Sequence, residues 1–167
     1  MTYNNLGNVA SYQGDYLRAK TLYEESMTLK QEIGDTKGIG ITLHGQGNVA
    51  RFYEDRALAR SLYQQSLAIR SDWGDKPGMA DTLEALAHLN QEEGWVLGAA
   101  RLWGAVERLR AEFGLPIPLQ HQAEHAQNIA RAQEALGESA FLAAWAEGKA
   151  MSLEAALDLA QEAVEGQ

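Results

Sequence analysis

The stretch Leu6-Gly-Asn-Val-Ala10 returns forty residues later as Gln46-Gly-Asn-Val-Ala50, and more loosely forty further on as Leu86-Ala-His-Leu-Asn90. With that register set, Ala19, Ala59 and Ala99 coincide, as do Leu22, Leu62 and Leu102, and then Tyr23, Tyr63 and Trp103. Each copy closes on a bulky residue and glycine: Ile33-Gly34, Trp73-Gly74 and Phe113-Gly114. Glycine there suits the left-handed conformation that ends a helix. A period of this length is the mark of stacked supersecondary units. Within a copy, Ala19, Leu22, Tyr23, Ser26 and Leu29 recur at three and four residues, which places them on one stripe of a helix. Each copy therefore reads as two helices, at about 2–13 and 15–33, 37–53 and 55–73, and 77–93 and 95–113. One such pair cannot bury its apolar face alone, so the pairs are expected to stack into a solenoid with a continuous core.

The residues that carry this register resemble tetratricopeptide repeats in a longer, 40-residue form. Leu6, Gly7, Ala10, Gly14, Tyr16, Ala19, Tyr23 and Ser26 sit where that repeat wants its large, small, small, turn, aromatic, small, aromatic and small residues. The second copy departs at Gln46, Glu54 and Arg56, and the third at Asn90 and Val96. The resemblance covers about residues 1–113 and implies an all-α, right-handed αα superhelix. The domain expectation is three hairpins over 1–114, the first truncated at its start, and a C-terminal helical cap over 115–167 packed on the same solenoid. The shortened first helix suggests a piece of a longer solenoid whose uncapped apolar end favours self-association.

After Gly114, Pro116 and Pro118 bar a continuing helix. Helices are expected beyond them at about 119–136, 138–147 and 151–165, with Gly148 separating the last two and Ser152 and Glu154 opening the final one. The segment from Leu136 to Ala156 resembles the tail that closes the repeat region of large bacterial signal-transduction ATPases and transcriptional regulators of the MalT-like and AfsR-like kind. That likeness implies a parent protein with a nucleotide-switch domain and an effector domain.

Composition narrows the function. With 167 residues and 46% apolar content the chain can bury a core of its own, and one domain is the default. It has no cysteine, which excludes disulfides, thiolate zinc sites and thiol catalysis and fits a reducing cytoplasm. No signal sequence or long apolar run points to a membrane. A net charge of −9 repels a polyanion, so direct nucleic-acid binding is not expected.

Several motifs imitate chemistry. His121-Gln-Ala-Glu124-His125 spells H-x-x-E-H, a zinc metallopeptidase pattern, and two histidines four residues apart share a helix face. A catalytic zinc needs a third protein ligand, which the motif does not supply, so no catalytic residue, metal or cofactor is expected. A metal-dependent hydrolase on His121, Glu124 and His125 stands as the remote alternative. Gly45-Gln-Gly-Asn-Val-Ala50 spells the dinucleotide fingerprint G-x-G-x-x-A, but no strand precedes it, and Gly47 reads as a small residue between neighbouring helices. Of the four tryptophans, Trp103 occupies a core position, Trp95 and Trp145 are undecided, and Trp73 precedes a helix-ending glycine. Glu24-Glu25 and Glu92-Glu93 read as solvated helix faces.

The binding surface is expected on the first helix of each pair, because the resemblance implies that those helices line a concave groove. The helical period places Asn4, Asn8 and Ser11 on a polar stripe, repeated as His44, Asn48 and Arg51 and then as Glu84, His88 and Gln91. Asparagine amides can satisfy the backbone of an extended peptide, and Tyr12 and Phe52 can supply apolar anchors. Asn8 and Asn48 match the asparagines of repeat domains that clamp chaperone C-termini, but that clamp's cations are missing: Asn4, Asp81 and Ala85 stand in their places. The expected partner is a protein, a peptide or another domain of the parent protein. The expected role is a non-catalytic sensor or interaction module, with a free-standing scaffold as the alternative.

Overall fold

The computed structural model describes residues 2–162. They form nine helices: α1 (Tyr3–Tyr12), α2 (Tyr16–Ile33), α3 (Thr36–Phe52), α4 (Arg56–Trp73), α5 (Lys76–Glu92), α6 (Val96–Phe113), α7 (Leu119–Leu136), α8 (Glu138–Ala150) and α9 (Leu153–Gln161). No strand occurs among the described residues. The all-α expectation of successive tetratricopeptide-like hairpins is met. The expected end of the last helix at 165 falls outside the described residues. The chain divides into two compact units, Met1–Gly78 and Met79–Gln167.

Local chemistry sets the helix ends. Asp15, Asp35 and Asp55 each accept a backbone N–H three residues on, at 3.1, 2.9 and 3.1 Å, which satisfies a donor that the first helical turn leaves unpaired. The turn inside each hairpin needs a positive φ, which glycine supplies at Gly14 (77°) and Gly94 (85°), whereas Glu54 holds 60° with a side chain attached. Glu54 is one of the residues at which the second copy departs from the repeat pattern, and the turn forms nonetheless because the flanking helices determine it.

In the first unit α2 packs against both α1 and α3, α1 also meets α3, and α4 packs on α3. Tyr23 (1% exposed) is the wedge. A Cβ on Gly7 would lie 2.7 Å from its ring and one on Gly45 2.5 Å, so glycine on each side admits the ring between α1 and α3. Gly47 does the same for Tyr63, with 2.6 Å available. Both glycines of the apparent dinucleotide fingerprint are thus packing positions inside α3, Gly47 as its register implied and Gly45 through the approach of Tyr23. Ala19, Ala59 and Ala99 are fully buried, and Ser66 Oγ donates to Gly40 O at 2.6 Å.

Leu29 departs from the expected stripe, being 45% exposed. The residue that turns inward there is Lys30, whose Nζ donates to Gly38 O at 3.0 Å and to Thr42 Oγ1 at 2.8 Å. A cation in the last turn of a helix also complements the helix dipole.

In the second unit α6 packs against α7, α8 and α9. Its crossing with α8 has almost no room: a Cβ on Gly104 would lie 2.1 Å from Trp145 O, and one on Gly148 1.9 Å from Arg101 O. Gly148 therefore does not separate two helices, as its identity suggested; it lies within α8, which continues to Ala150. Of the undecided tryptophans, Trp145 packs on Phe141 and donates its indole N–H to Glu107, while Trp95 covers Gly98 at the start of α6. Trp103 is core, at 1% exposure, and Lys37 Nζ lies 4.9 Å over the exposed face of Trp73.

Candidate functional site

The first unit builds its polar stripe twice with the same geometry. The Tyr23 hydroxyl donates to Asn8 Oδ1 at 2.7 Å, and the Tyr63 hydroxyl donates to Asn48 Oδ1 at 2.7 Å. Burial pushes the Tyr23 phenol up from its usual pKa, which keeps it a donor. Each tyrosine orients its asparagine, so what the amide offers a partner is its NH2 group. Ser11, His44 and Arg51 are half-buried on the same helices, and His44 packs on the Tyr63 ring at 5.5 Å between centroids. Tyr12 is 61% exposed and Phe52 53%; Phe52 stacks on Tyr16 at 3.6 Å and meets Tyr53 edge-on. Asn4 differs from the expectation. It is buried, and its Oδ1 lies 3.1 Å from the Thr42 hydroxyl, so an incoming peptide cannot reach it as it could Asn8.

In the second unit the stripe faces protein. Glu84 (6% exposed) and His88 (7%) are buried, and Gln91 Nε2 donates to Asn128 O of α7 at 2.9 Å. His125 Nδ1, also on α7, lies 2.6 Å from Glu84 Oε1. For these three residues the groove expectation is corrected: α7 occupies the side on which a ligand was expected.

Arg110 completes this cluster. Its Nη2 donates to Glu84 Oε2 at 2.9 Å and to Asp81 at 2.8 Å, and its Nη1 donates to Pro116 O at 3.3 Å. It is the third term of a basic series, Lys30, Arg70 and Arg110, that the forty-residue register contains. Extending that register would have found it. Arg70 Nη1 pairs with Asp75 at 3.0 Å, and Lys30 feels Asp35. In the third copy Leu115 stands where the other two have Asp35 and Asp75, and the arginine turns to Glu84 instead. Glu84 and His88 themselves stand where the first copy has Asn4 and Asn8 and the second His44 and Asn48.

Burial alone would raise the Glu84 carboxyl, but the hydrogen bond and charge of His125, the hydrogen bond from Arg110 and the charge of His88 outweigh it and hold the pKa down to about 2. An unfolded glutamate titrates near 4.3, so the stability that this ionised carboxylate contributes is complete above that pH and lost as the pH falls toward 2, at up to about 1.4 kcal/mol per pH unit. In metal-free buffer, the urea midpoint of the wild type should fall more steeply between those limits than that of Glu84→Gln. Parallel acid limbs would mean that Glu84 is not held this way.

His121 and Glu124 stay outside the buried cluster, and Glu124 is exposed. Among the described residues, the group able to hold a metal ion is Glu84, His88 and His125, whose ligand atoms all lie within 4.8 Å of one another. The H-x-x-E-H spelling thus contributes one residue, joined by two that only the fold brings near.

A family model described as tetratricopeptide repeat matches residues 1–72. Those residues are the two hairpins in which Tyr23 and Tyr63 hold Asn8 and Asn48, and they are similar to a class of protein-interaction modules. The third hairpin and the helices after it lie outside the matched span. No curated protein and no solved structure matches the chain. No helix among the described residues is long and apolar enough to cross a membrane.

Proposed function

We infer that the chain is a non-catalytic module that captures an extended peptide or protein segment on the first unit, through Asn8, Ser11, Tyr12, His44, Asn48, Arg51 and Phe52. The observation that carries this reading is the duplicated tyrosine-held amide, 2.7 Å in both copies. Amides preoriented at a fixed repeat can bond a peptide backbone with little loss of side-chain entropy on binding. Exposed Tyr12 and Phe52 beside them offer apolar contact area.

The test uses peptides selected by the wild-type protein from a displayed random library. The double substitution Asn8→Asp, Asn48→Asp keeps an acceptor for each tyrosine and removes each NH2 donor. It should weaken those peptides about tenfold or more, since losing two hydrogen bonds amounts to roughly 1.5–3 kcal/mol. Thermal stability should hold, because the tyrosine hydroxyls stay bonded. Peptides that bind the double variant and Arg51→Ala as tightly as the wild type would sink this surface.

The finer placement, as the sensor or interaction region of a larger bacterial transcriptional regulator, is supported by the resemblance of Leu136–Ala156 to the closing tail of such proteins. A nucleotide-switch domain encoded upstream in the same reading frame is the expected finding, whereas a stop codon there favours a free-standing scaffold.

A further inference from the structure

We propose that Glu84, His88 and His125 form a binding site for a divalent transition-metal ion of the zinc type, which fastens α7 to the α5 residues beneath it. Glu84 and His88 stand four apart on α5 and so share a face, and His125 reaches them from α7. The three ligand atoms converge: Glu84 Oε1 lies 2.6 Å from His125 Nδ1 and 3.9 Å from His88 Nε2. Ligand atoms about 2.0–2.1 Å from a tetrahedral zinc stand roughly 3.3 Å from one another. These two separations bracket that value, and the ion would take the place of the Glu84–His125 hydrogen bond and release its proton.

Three further features make this a built site rather than a chance encounter. Arg110 Nη2 holds Glu84 Oε2 at 2.9 Å, which fixes the carboxylate with Oε1 toward the histidines, as outer groups orient ligands in metal centres. The His88 ring lies 5.7 Å from that of buried Trp103, a dry wall that limits competition from water. Glu84 and His88 occur together only in the third copy, where the first carries Asn4 and Asn8 and the second His44 and Asn48. Two imidazoles and one carboxylate suit a borderline ion, whereas calcium and magnesium prefer all-oxygen shells. Water is the remaining ligand. With Glu84 and His88 buried, the ion clamps the fold.

The experiment is titration of the untagged, chelator-treated full chain at pH 7 with Co2+ and, separately, with Zn2+. The expected result is one ion per chain, visible-region cobalt bands of tetrahedral intensity, displacement of cobalt by zinc, and a higher Tm with zinc than without. Calcium or magnesium in 100-fold excess should not displace the cobalt. His125→Gln and His88→Gln should each weaken binding about 100-fold or more, while His121→Gln leaves it unchanged. Circular dichroism and a cooperative melt establish that each variant is folded. If a variant does not fold, the wild-type cobalt spectrum decides: absence of tetrahedral bands at one equivalent overturns the proposal. So does binding that survives His125→Gln or is lost with His121→Gln. Peptide capture by Asn8 and Asn48 is read in the first unit, so failure of this site leaves that reading intact.

Discussion

Gly148→Ala should destabilise the second unit by about 3 kcal/mol, the high end of what overpacking costs. Alanine is the better helix former by about 1 kcal/mol, and on an open helix face the substitution would stabilise. Here the added methyl would sit 1.9 Å from Arg101 O of α6. A carbon needs roughly 3.3 Å from a carbonyl oxygen, so the helices must part by more than 1 Å along a contact made of backbone. No side chain can swing away to absorb the strain. The reciprocal pocket at Gly104, 2.1 Å from Trp145 O, moves with it, and the buried Phe141 and Ala144 of α8 lose their fit. Three of the four tryptophans, Trp95, Trp103 and Trp145, lie in this unit and Trp73 in the first, so urea unfolding of a Trp73→Phe background followed by tryptophan fluorescence reports on it directly. Leu142→Ala, at a half-exposed position of the same helix, should shift the transition by no more than about 0.5 kcal/mol. Equal midpoints for the two variants would mean that α6 and α8 do not cross this closely.

Arg110→Met should be as costly, at about 3 kcal/mol, the low end for breaking a buried ion pair, because it leaves the Glu84 carboxylate, 6% exposed, with only the histidine side of its partners, His125 at 2.6 Å. Methionine keeps most of the apolar stem, so the loss measures the guanidinium and its bonds to Glu84, Asp81 and Pro116 O. Glu84→Gln alone should cost less, since Arg110 keeps Asp81 and Pro116 O. The double variant should recover part of what Arg110→Met loses, because a neutral amide costs less to bury unpaired than a carboxylate. The coupling in that double-mutant cycle should exceed about 1 kcal/mol. Additive single effects would show that the two residues do not act as a pair.

Much of this organisation was legible in the chain. The forty-residue register placed the first six helices, and Pro116 and Pro118 the start of the seventh, within a few residues of their observed ends, since aspartate caps, turn glycines, prolines and apolar spacing act over one or two turns. It also placed Ala19, Tyr23, Tyr63 and Trp103 in the core. Leu29 shows the limit. Spacing puts it on the stripe, but Lys30 turns in because Gly38 O and Thr42 on the next helix accept its ammonium. The candidate site was legible by halves. Asn8 and Asn48 were found from their register, but nothing local says that a tyrosine fifteen residues on holds each of them. Glu84, His88 and Gln91 were expected to line a groove that α7 in fact covers, because how a later helix docks is not written in the periodicity of an earlier one.

The amino-acid sequence by itself determined that this protein is built of repeated helical hairpins, because helix period, capping and turn chemistry are short-range forces read within one copy. Only the tertiary structure decided which polar residues meet: that Gly148 is a crossing point and not a helix break, and that His125 reaches Glu84 across forty-one residues of chain. Such contacts depend on the packing of whole helices, where an ångström of backbone separation decides which side chain fits.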